Sequence, residues 1–244
     1  MNKFSFLLSF CILVFCSCQR SANHANHRLI VGTNAEFAPF TFIDDGEIVG
    51  FEIDMAREVC RRLGYEMQLV DLPFDSLIPE ITTGAVHFVA AGMTVTEERA
   101  KKVCFTIPYL SEDPLVMVSL SNLNIQNLED LKQYNVVVNE GYTADLFLSE
   151  KLNTPLMRLP HPVDGFLALQ SGRADLFVTA RNTLKPFLST YHSLFVVPIE
   201  ESSENCAMMV SKEYPQLLES LNVVLQNMIA DGNVDLLKEK WGIQ

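Results

Sequence analysis

Two stretches of this chain repeat the same order of elements, and that repetition limits the fold more than any other feature. In the first stretch, residues 51–63 place their apolar side chains on one helical stripe, with Glu58 four positions before Arg62 and Gly64 as a stop. The elements predicted here are a strand at 29–33, a helix at 51–63, a strand at 65–70, a helix at 74–84 and a strand at 86–90. This alternation is typical of a parallel α/β sheet.

The second stretch begins near residue 135 and follows the same alternation. It predicts a strand at 135–139, a helix at 143–152, a strand at 156–159, a helix at 163–171 and a strand at 174–178. When the two stretches are laid over each other, Gly84 falls on Gly172, each at the end of a helix. We therefore expect an α/β fold made of two similar lobes.

The end of the chain departs from this alternation. A strand at 205–210 is followed by helices at 217–229 and 234–241, which we expect to pack back on the first lobe. Two chain crossings, near 109–113 and 204–207, would then join the lobes and allow closure on a ligand by a hinge. The predicted division is 28–110 and 206–244 for lobe 1 and 111–205 for lobe 2.

The first 20 residues are unlike the rest of the chain. Lys3 precedes an apolar run that ends in the small residues Cys16-Ser17-Cys18, a pattern typical of a secretory signal and too short for a membrane-spanning helix. The segment also resembles a bacterial lipobox with Cys18 as the lipid acceptor, although ordinary cleavage nearby is the alternative. We expect a signal peptide at 1–17 and a polar tether at 18–27.

Charge and motif content exclude several classes of function. Without residues 1–17, which contain one Lys and no acid, the chain carries 17 Lys and Arg against 30 Asp and Glu, a formal charge of −13. This balance opposes nucleic acid as a partner and offers no basic surface to anionic lipid. The five His are scattered, no C-x-x-C pair occurs, and the three cysteines after the export segment favour buried free thiols. We expect neither a metal site nor a cofactor.

The stretch AGMTVTEER, residues 91–99, lies where a predicted strand turns into a helix at the carboxyl end of the sheet. Gly92 permits close approach of a ligand or backbone, the spacing of Thr94 and Glu97 fits a capping box, and Thr96 can itself cap a helix that starts at Glu97. Free N–H groups, two hydroxyls and Arg99 can together hold a carboxylate or phosphate. The alternative is a well-capped surface helix on which Arg99 only forms an ion pair with a nearby acid.

Four consecutive segments favour the ligand site. These are GTNAEFAPF at 32–40, IVGFEIDMAREV at 48–59, FDSLIP at 74–79 and AGMTVTEER at 91–99. Their order and spacing resemble the polar amino-acid ABC transporter substrate-binding proteins, the family 3 solute receptors, from about residue 29 to 241. The resemblance implies a two-lobed periplasmic-binding-protein fold of the Venus flytrap type II kind, with a discontinuous first lobe and a two-stranded hinge.

The resemblance also implies roles for individual residues. Arg99 would grip the ligand α-carboxylate, helped by Thr94 and by the backbone around Gly92 and Thr96, while a turn in the second lobe closes over the ligand. The implied ligand-binding set is Asn34, Phe37, Phe74, Gly92, Thr94, Thr96, Arg99, Asn139, Tyr142, Thr143 and Thr179. Within it Phe37 and Phe74 would be aromatic walls around the ligand side chain, although core packing would explain aromatic residues there as well.

The chain departs from the family pattern at two positions. Asn34 stands where family members commonly carry Asp. The negative charge that would select a cationic ligand side chain is therefore missing at this position, unless Glu36 supplies it. Ala180 stands where an Asp usually accepts from the ligand ammonium. Glu140 or another acid could take that role, the alignment could slip, or the ligand could lack a plain α-amino group. Arg181 could favour a second ligand carboxylate, or be a solvated helix residue.

We therefore expect an extracytoplasmic receptor in the periplasm that delivers an amino acid such as arginine, glutamine or cystine to an ABC permease, as a monomer and not an enzyme. A cyclohexadienyl dehydratase-like enzyme on the same scaffold is one alternative, for which only Glu140 and Glu36 offer a catalytic acid or base. A receptor for a different small carboxylate is another. The chain ends at Gln244 without a membrane helix, which argues against a sensor lobe of a larger receptor.

Overall fold

The computed structural model describes residues 28–188, 194–200, 202 and 204–243. The predicted signal peptide, the tether and the candidate lipid acceptor Cys18 lie outside the described residues.

The strands are short, and within the described residues none is longer than six residues. In chain order they are β1 (Arg28–Thr33), β2 (Glu36–Phe37), β3 (Thr41–Asp44), β4 (Glu47–Val49), β5 (Glu66–Asp71), β6 (Phe88–Val89), β7 (Cys104–Phe105), β8 (Leu110–Asp113), β9 (Leu115–Ser119), β10 (Val136–Asn139), β11 (Met157–Leu159), β12 (Leu176–Ala180), β13 (Phe195–Pro198), β14 (Glu204–Cys206) and β15 (Met209–Val210).

The helices include all those predicted from the sequence. They are α1 (Phe51–Leu63), α2 (Leu77–Thr82), α3 (Glu97–Ala100), α4 (Thr143–Lys151), α5 (Pro162–Gln170), α6 (Lys185–Leu188), α7 (Pro215–Ala230) and α8 (Asn233–Trp241), with 3-10 turns at Phe74–Ser76, Leu128–Gln133 and Arg181–Leu184. The predicted helix α1 is confirmed with its bounds, because Gly64 ends it in a left-handed conformation and Arg62 donates to Glu58 at 2.6 Å.

The first sheet has the order β5-β1-β6-β15-β7. Strands β5 and β6 both pair with β1 in parallel, as the alternation of strands and helices predicted. Strand β15, which comes from the end of the chain, pairs antiparallel with β6 and β7. The sheet is therefore mixed, because the returning chain, whose direction the sequence did not indicate, enters it antiparallel.

The second sheet has the order β11-β10-β12-β9-β13. Strands β10, β11 and β12 are parallel, whereas β9 and β13 run antiparallel to them. The sequence did not predict β9 or β13. Strand β9 is buried along its whole length, so it carries no alternation of polar and apolar residues to reveal it.

Two extended segments connect the sheets, and they pair with each other. Strand β8 leaves the first sheet and β14 returns to it, and the two are antiparallel, with Glu204 opposite Asp113 and Cys206 opposite Leu110. This confirms the predicted two-lobed fold with a discontinuous first lobe and a two-stranded hinge. The lobe limits at residues 110 and 206 remain a prediction.

The core of the first lobe explains where the last two helices lie. The apolar face of α1 is fully buried at Phe51, Met55 and Val59, and Leu225 of α7 and Val234 of α8 belong to the same cluster. Burial of each large side chain of this kind contributes about 1.5–3 kcal/mol. The predicted return of the C-terminal helices to the first lobe is thus confirmed.

The three cysteines of the described residues form no disulfide. Cys60 and Cys206 are buried, as predicted, while Cys104 is only partly buried. No group of three His, Cys, Asp or Glu within the described ranges could hold a metal ion.

Candidate functional site

The segment after β6 turns sharply toward the second lobe and begins α3. The backbone N–H of Arg99 donates to the Thr96 hydroxyl at 3.2 Å, which confirms Thr96 as the cap of a helix that starts at Glu97. The capping box predicted for Thr94 and Glu97 was wrong, because Thr94 lies two residues before that cap. Its hydroxyl instead accepts a hydrogen bond from the Thr143 hydroxyl of the second lobe at 2.9 Å.

Gly92 sits against an aromatic ring in this turn. Its φ of +61° is in the left-handed region, and a Cβ built there would lie 3.0 Å from Cε1 of Phe37. Phe37 in turn stacks on Phe40 with ring centroids 4.8 Å apart. The turn therefore requires glycine both for its backbone conformation and for the position of the Phe37 ring.

Arg99 links the two lobes. Its side chain is 6% exposed, and it donates from Nη1 to the carbonyl of Thr94 and from Nη2 to the carbonyl of Gly141, both at 2.9 Å. The guanidinium carbon lies 5.6 Å from the centre of the Phe74 ring. A buried, doubly anchored guanidinium is held in a fixed orientation for any anion that enters beside it.

A cavity between the lobes surrounds this guanidinium, and we refer to it as the Arg99 cavity. It holds about 380 Å³ of empty space, open solvent included, and is lined by Phe37, Phe74, Gly92, Thr94, Arg99, Asn139, Tyr142, Thr143, Ala144, Val178, Thr179 and Ala180. Among these described lining residues Arg99 alone is charged, so the lining carries a net positive charge. Nine of the eleven predicted site residues are brought together here, and Asn34 and Thr96 are not.

Asn139 lines the Arg99 cavity and carries a buried acceptor atom. The side chain is 1% exposed, and Nδ2 donates to the carbonyl of Leu159 at 3.2 Å. Because a carbonyl only accepts, this bond fixes the orientation of the amide. Oδ1 is then a buried oxygen that has no hydrogen-bond partner within the described part of the chain.

A second cavity, which we call the acidic chamber, adjoins the first at Phe74. It holds about 1070 Å³ of empty space, open solvent included, and is lined by Asn34, Glu36, Asp71, Leu72, Pro73, Phe74, Asp75, Glu140, Gly141, Pro160 and His161. Four of these residues are carboxylic acids and only His161 could oppose them. The chamber therefore has a negative potential beside the positive Arg99 cavity.

Both lobes contribute to the acidic chamber, and they touch across it. His161 Nδ1 lies 2.6 Å from Glu36 Oε2, which joins the start of α5 to β2. Asn34 donates from Nδ2 to the carbonyl of Leu72 at 3.0 Å, and its buried Oδ1, like that of Asn139, has no partner among the described residues. Asn34 thus lies at the chamber and not at the Arg99 cavity.

The positions that depart from the family pattern lie in different surroundings. Ala180 lines the Arg99 cavity, where its methyl group accepts no hydrogen bond. Glu140 lines the acidic chamber and is exposed, so it does not stand in the Arg99 cavity. Arg181 is exposed and lines neither cavity, as a solvated helix residue would be.

Sequence reasoning missed Asp71, Asp75 and His161 of the acidic chamber. Asp71 ends β5, and Glu140 directly follows β10. Acids at the carboxyl ends of one parallel strand in each of the two sheets were the signal that could have found the chamber.

A family model covers nearly all of the described chain. Residues 29–244 match the bacterial extracellular solute-binding proteins, family 3. The chain belongs to this family.

Relatives of this family 3 protein match it over most of their length. The arginine-binding extracellular protein ArtP of Bacillus subtilis is 28% identical over 99% of this chain and 98% of the relative. A mutant of ArgBP from T. maritima, a protein also solved in an arginine-bound form, is 38% identical, with a TM-score of 0.82 over 89% of this chain and 96% of that one. The ancestral amino acid-binding protein AncCDT-1, described as a precursor of cyclohexadienyl dehydratase, is 33% identical, with a TM-score of 0.79 over 88% and 95%.

A buried carboxylic acid supports the Arg99 turn of this family 3 protein from behind. Glu52 is fully buried in α1, where Oε2 accepts from the Tyr109 hydroxyl at 2.7 Å and the carboxyl also accepts from the Gly92 backbone N–H. Burial raises the pKa of Glu52, and the two hydrogen bonds lower it. Burial has the larger effect, so the pKa is about 7. Glu52 thus couples the turn at Gly92 to Tyr109, the residue before β8.

Glu52 should make the stability of the protein depend on pH. Because its folded-state pKa of about 7 exceeds the ordinary value of 4.5, the folded state keeps a proton that the unfolded state loses between those values. The free energy of unfolding should therefore fall by about 3 kcal/mol as the pH rises from 4.5 to 7. Denaturant unfolding of wild type and Glu52→Gln across this range measures the difference. Equal pH dependence in the two proteins would contradict it.

Proposed function

We propose that this protein is an extracytoplasmic receptor that captures an amino acid with a cationic side chain and delivers it to an ABC permease. One observation carries the proposal: a positively charged cavity and an acidic chamber lie side by side between the two lobes and share Phe74. An amino acid of this class has the opposite charges in the same order, a carboxylate at one end and a cation at the other.

The carboxylate end of the ligand would lie at Arg99. A guanidinium can make two parallel charge-assisted hydrogen bonds to a carboxylate, and the hydroxyl of Thr94 lies beside it in the same lining. Gly92 and Thr179 complete the walls. Thr96 contributes by capping α3, which fixes the backbone from which Arg99 projects.

The ligand ammonium would be held by Asn139. Its Oδ1 is a buried acceptor without a partner in the described residues, and Asn139 lines the cavity in which Ala180 replaces the usual Asp. A ligand N–H would satisfy this oxygen, whereas leaving it unsatisfied costs about 1–3 kcal/mol. We assign the ammonium to Asn139 and not to Glu140, because Glu140 lines the acidic chamber and not the Arg99 cavity.

The ligand side chain would pass Phe74 into the acidic chamber. The four acids there favour a guanidinium or ammonium group, and Oδ1 of Asn34 adds a neutral acceptor. The loss of the usual Asp at position 34 is offset by Glu36, Asp71, Asp75 and Glu140. The arginine-binding relatives support arginine as the first ligand to test.

The test is calorimetric titration of the protein with each of the common amino acids, cystine, citrulline and small dicarboxylates. Arginine is expected to bind and to raise the melting temperature in proportion to its occupancy. Failure of every amino acid and small carboxylate to bind would overturn the proposal.

Catalysis is not part of the proposed function. The likeness to AncCDT-1 gives the dehydratase alternative its basis. Against it, the described lining of the Arg99 cavity contains no Asp, Glu or His to act as general acid or base. Incubation with prephenate or arogenate is expected to yield no aromatic product.

The relatives named as extracellular support a location outside the cytoplasmic membrane. Within the described residues no helix is long and apolar enough to span a bilayer. We propose attachment through a lipid on Cys18, with the receptor acting as a monomer. Cells fed labelled palmitate should label the wild-type protein and not Cys18→Ala, and label in both proteins would contradict this.

A further inference from the structure

The turn at residues 141–143 in the second lobe contacts the same groups of the first lobe that the ligand is proposed to use. Tyr142 lies between the two aromatic walls, with its ring centroid 4.3 Å from that of Phe74 at a 35° tilt. It meets Phe37 edge-on, at 5.7 Å and 83°. A side chain of the second lobe is therefore packed against the core cluster of the first.

The backbone of this turn makes the matching polar contacts. The carbonyl of Gly141 accepts from Nη2 of Arg99, and the hydroxyl of Thr143 donates to that of Thr94. A carbonyl oxygen thus stands against the guanidinium, where the ligand carboxylate is proposed, and a planar ring stands against Phe74. The turn therefore occupies the places proposed for both the ligand carboxylate and the ligand side chain.

The fit of Tyr142 is incomplete at one atom. Its hydroxyl oxygen is buried and has no hydrogen-bond partner within the described residues. Burial raises the pKa of Tyr142, and the nearby charge of Glu36 raises it further, so the phenol stays protonated at neutral pH. A buried hydroxyl with no acceptor destabilises this arrangement relative to one in which water reaches it.

We propose that the turn at 141–143 is an internal pseudo-ligand, which holds the ligand-free receptor closed and must be displaced by the incoming amino acid. The inference rests on the proposed function for the identity of that ligand. Closure itself follows from contacts within the chain. The Tyr142 ring and a ligand side chain cannot occupy the space beside Phe74 together.

The need to displace the turn at 141–143 should weaken the apparent affinity for the ligand. If the binding-competent state is a minor fraction of the ligand-free protein, the apparent Kd exceeds the intrinsic Kd by the inverse of that fraction. Variants that weaken the pseudo-ligand should then bind every ligand more tightly by a common factor. By contrast, removing a side chain that only forms a wall of the site should weaken ligand binding.

Small-angle X-ray scattering of the ligand-free protein tests closure without any ligand. Wild type should scatter as a closed molecule, and Tyr142→Ala should show a larger radius of gyration because the lobes separate. Tyr214→Ala, which removes an exposed tyrosine that lines neither cavity, should scatter like wild type. An open wild-type protein, or a Tyr142→Ala protein as compact as wild type, would overturn the inference whether or not an amino acid binds.

In titrations with arginine, two variants of Tyr142 should change the Kd in opposite directions. Tyr142→Ala should lower the Kd about tenfold, because the competing ring is gone. Tyr142→Phe should raise it about tenfold, because removing the unpaired hydroxyl stabilises the self-occupied state. Circular dichroism confirms that both fold. Weaker binding by Tyr142→Ala would make the ring an ordinary ligand contact, and absence of binding in wild type would count against the proposed function alone.

Discussion

Replacing Arg99 by alanine is expected to weaken amino-acid binding about 100-fold or more, because the ligand carboxylate would lose its charge-assisted hydrogen bonds in a site shielded from water. The same change removes the Arg99 contacts to the Thr94 and Gly141 carbonyls. Arg99→Lys keeps the charge without the planar fork, and should therefore fall between alanine and wild type. Calorimetric titration with arginine measures all three.

A neighbouring cation provides the matched control for Arg99. Lys102 lies three residues further along, is exposed, and approaches Glu98 only at 3.5 Å. Lys102→Ala changes the net charge by the same amount, and its affinity should stay within about twofold of wild type because exposed ion pairs contribute little. If Arg99→Ala also retains wild-type affinity, Arg99 has a structural role only, as in the surface-helix alternative.

Neutralising the acidic chamber is expected to have the second largest effect, and to affect cationic ligands alone. Citrulline has nearly the shape of arginine without its charge, and it should bind wild type about 100-fold more weakly, with the gap narrowing as salt is added. The double variant Asp75→Asn with Glu140→Gln should cut the affinity for arginine about tenfold or more and leave that for citrulline nearly unchanged.

The control for the chamber variants is Glu219→Gln on α7, an exposed acid that lines neither cavity. It changes the net charge without changing the chamber, so arginine should bind it as it binds wild type. Equal losses for arginine and citrulline in the double variant would mean that the chamber acts through shape. Equal losses in Glu219→Gln and the double variant would mean that the overall negative charge of the protein attracts the ligand.

Local patterns made much of the fold predictable. The helix α1 carries its own stripe, ion pair and terminal glycine, and Thr96 caps α3 as its position indicated. The small sheet of β2, β3 and β4 was not predicted. Its strands have only two to four residues, too few to show a period.

The site was predictable where the chain brings its residues together within one turn, as it does from Gly92 to Arg99. The acidic chamber was not predictable in the same way, because its acids come from three separate segments of the two lobes. The position of the Tyr142 ring was also beyond sequence reasoning. It depends on how closely one lobe approaches Phe37 and Phe74 of the other.

The most direct test of the account is to compare L-arginine with agmatine, which has the same side chain and no carboxylate, in wild type and in Arg99→Ala. If Arg99 binds the carboxylate, wild type should prefer arginine about 100-fold or more, and the preference should nearly vanish in the variant. An equal preference in both proteins would contradict the assignment of Arg99 as the carboxylate-binding residue, and with it the proposed orientation of the ligand between the two cavities.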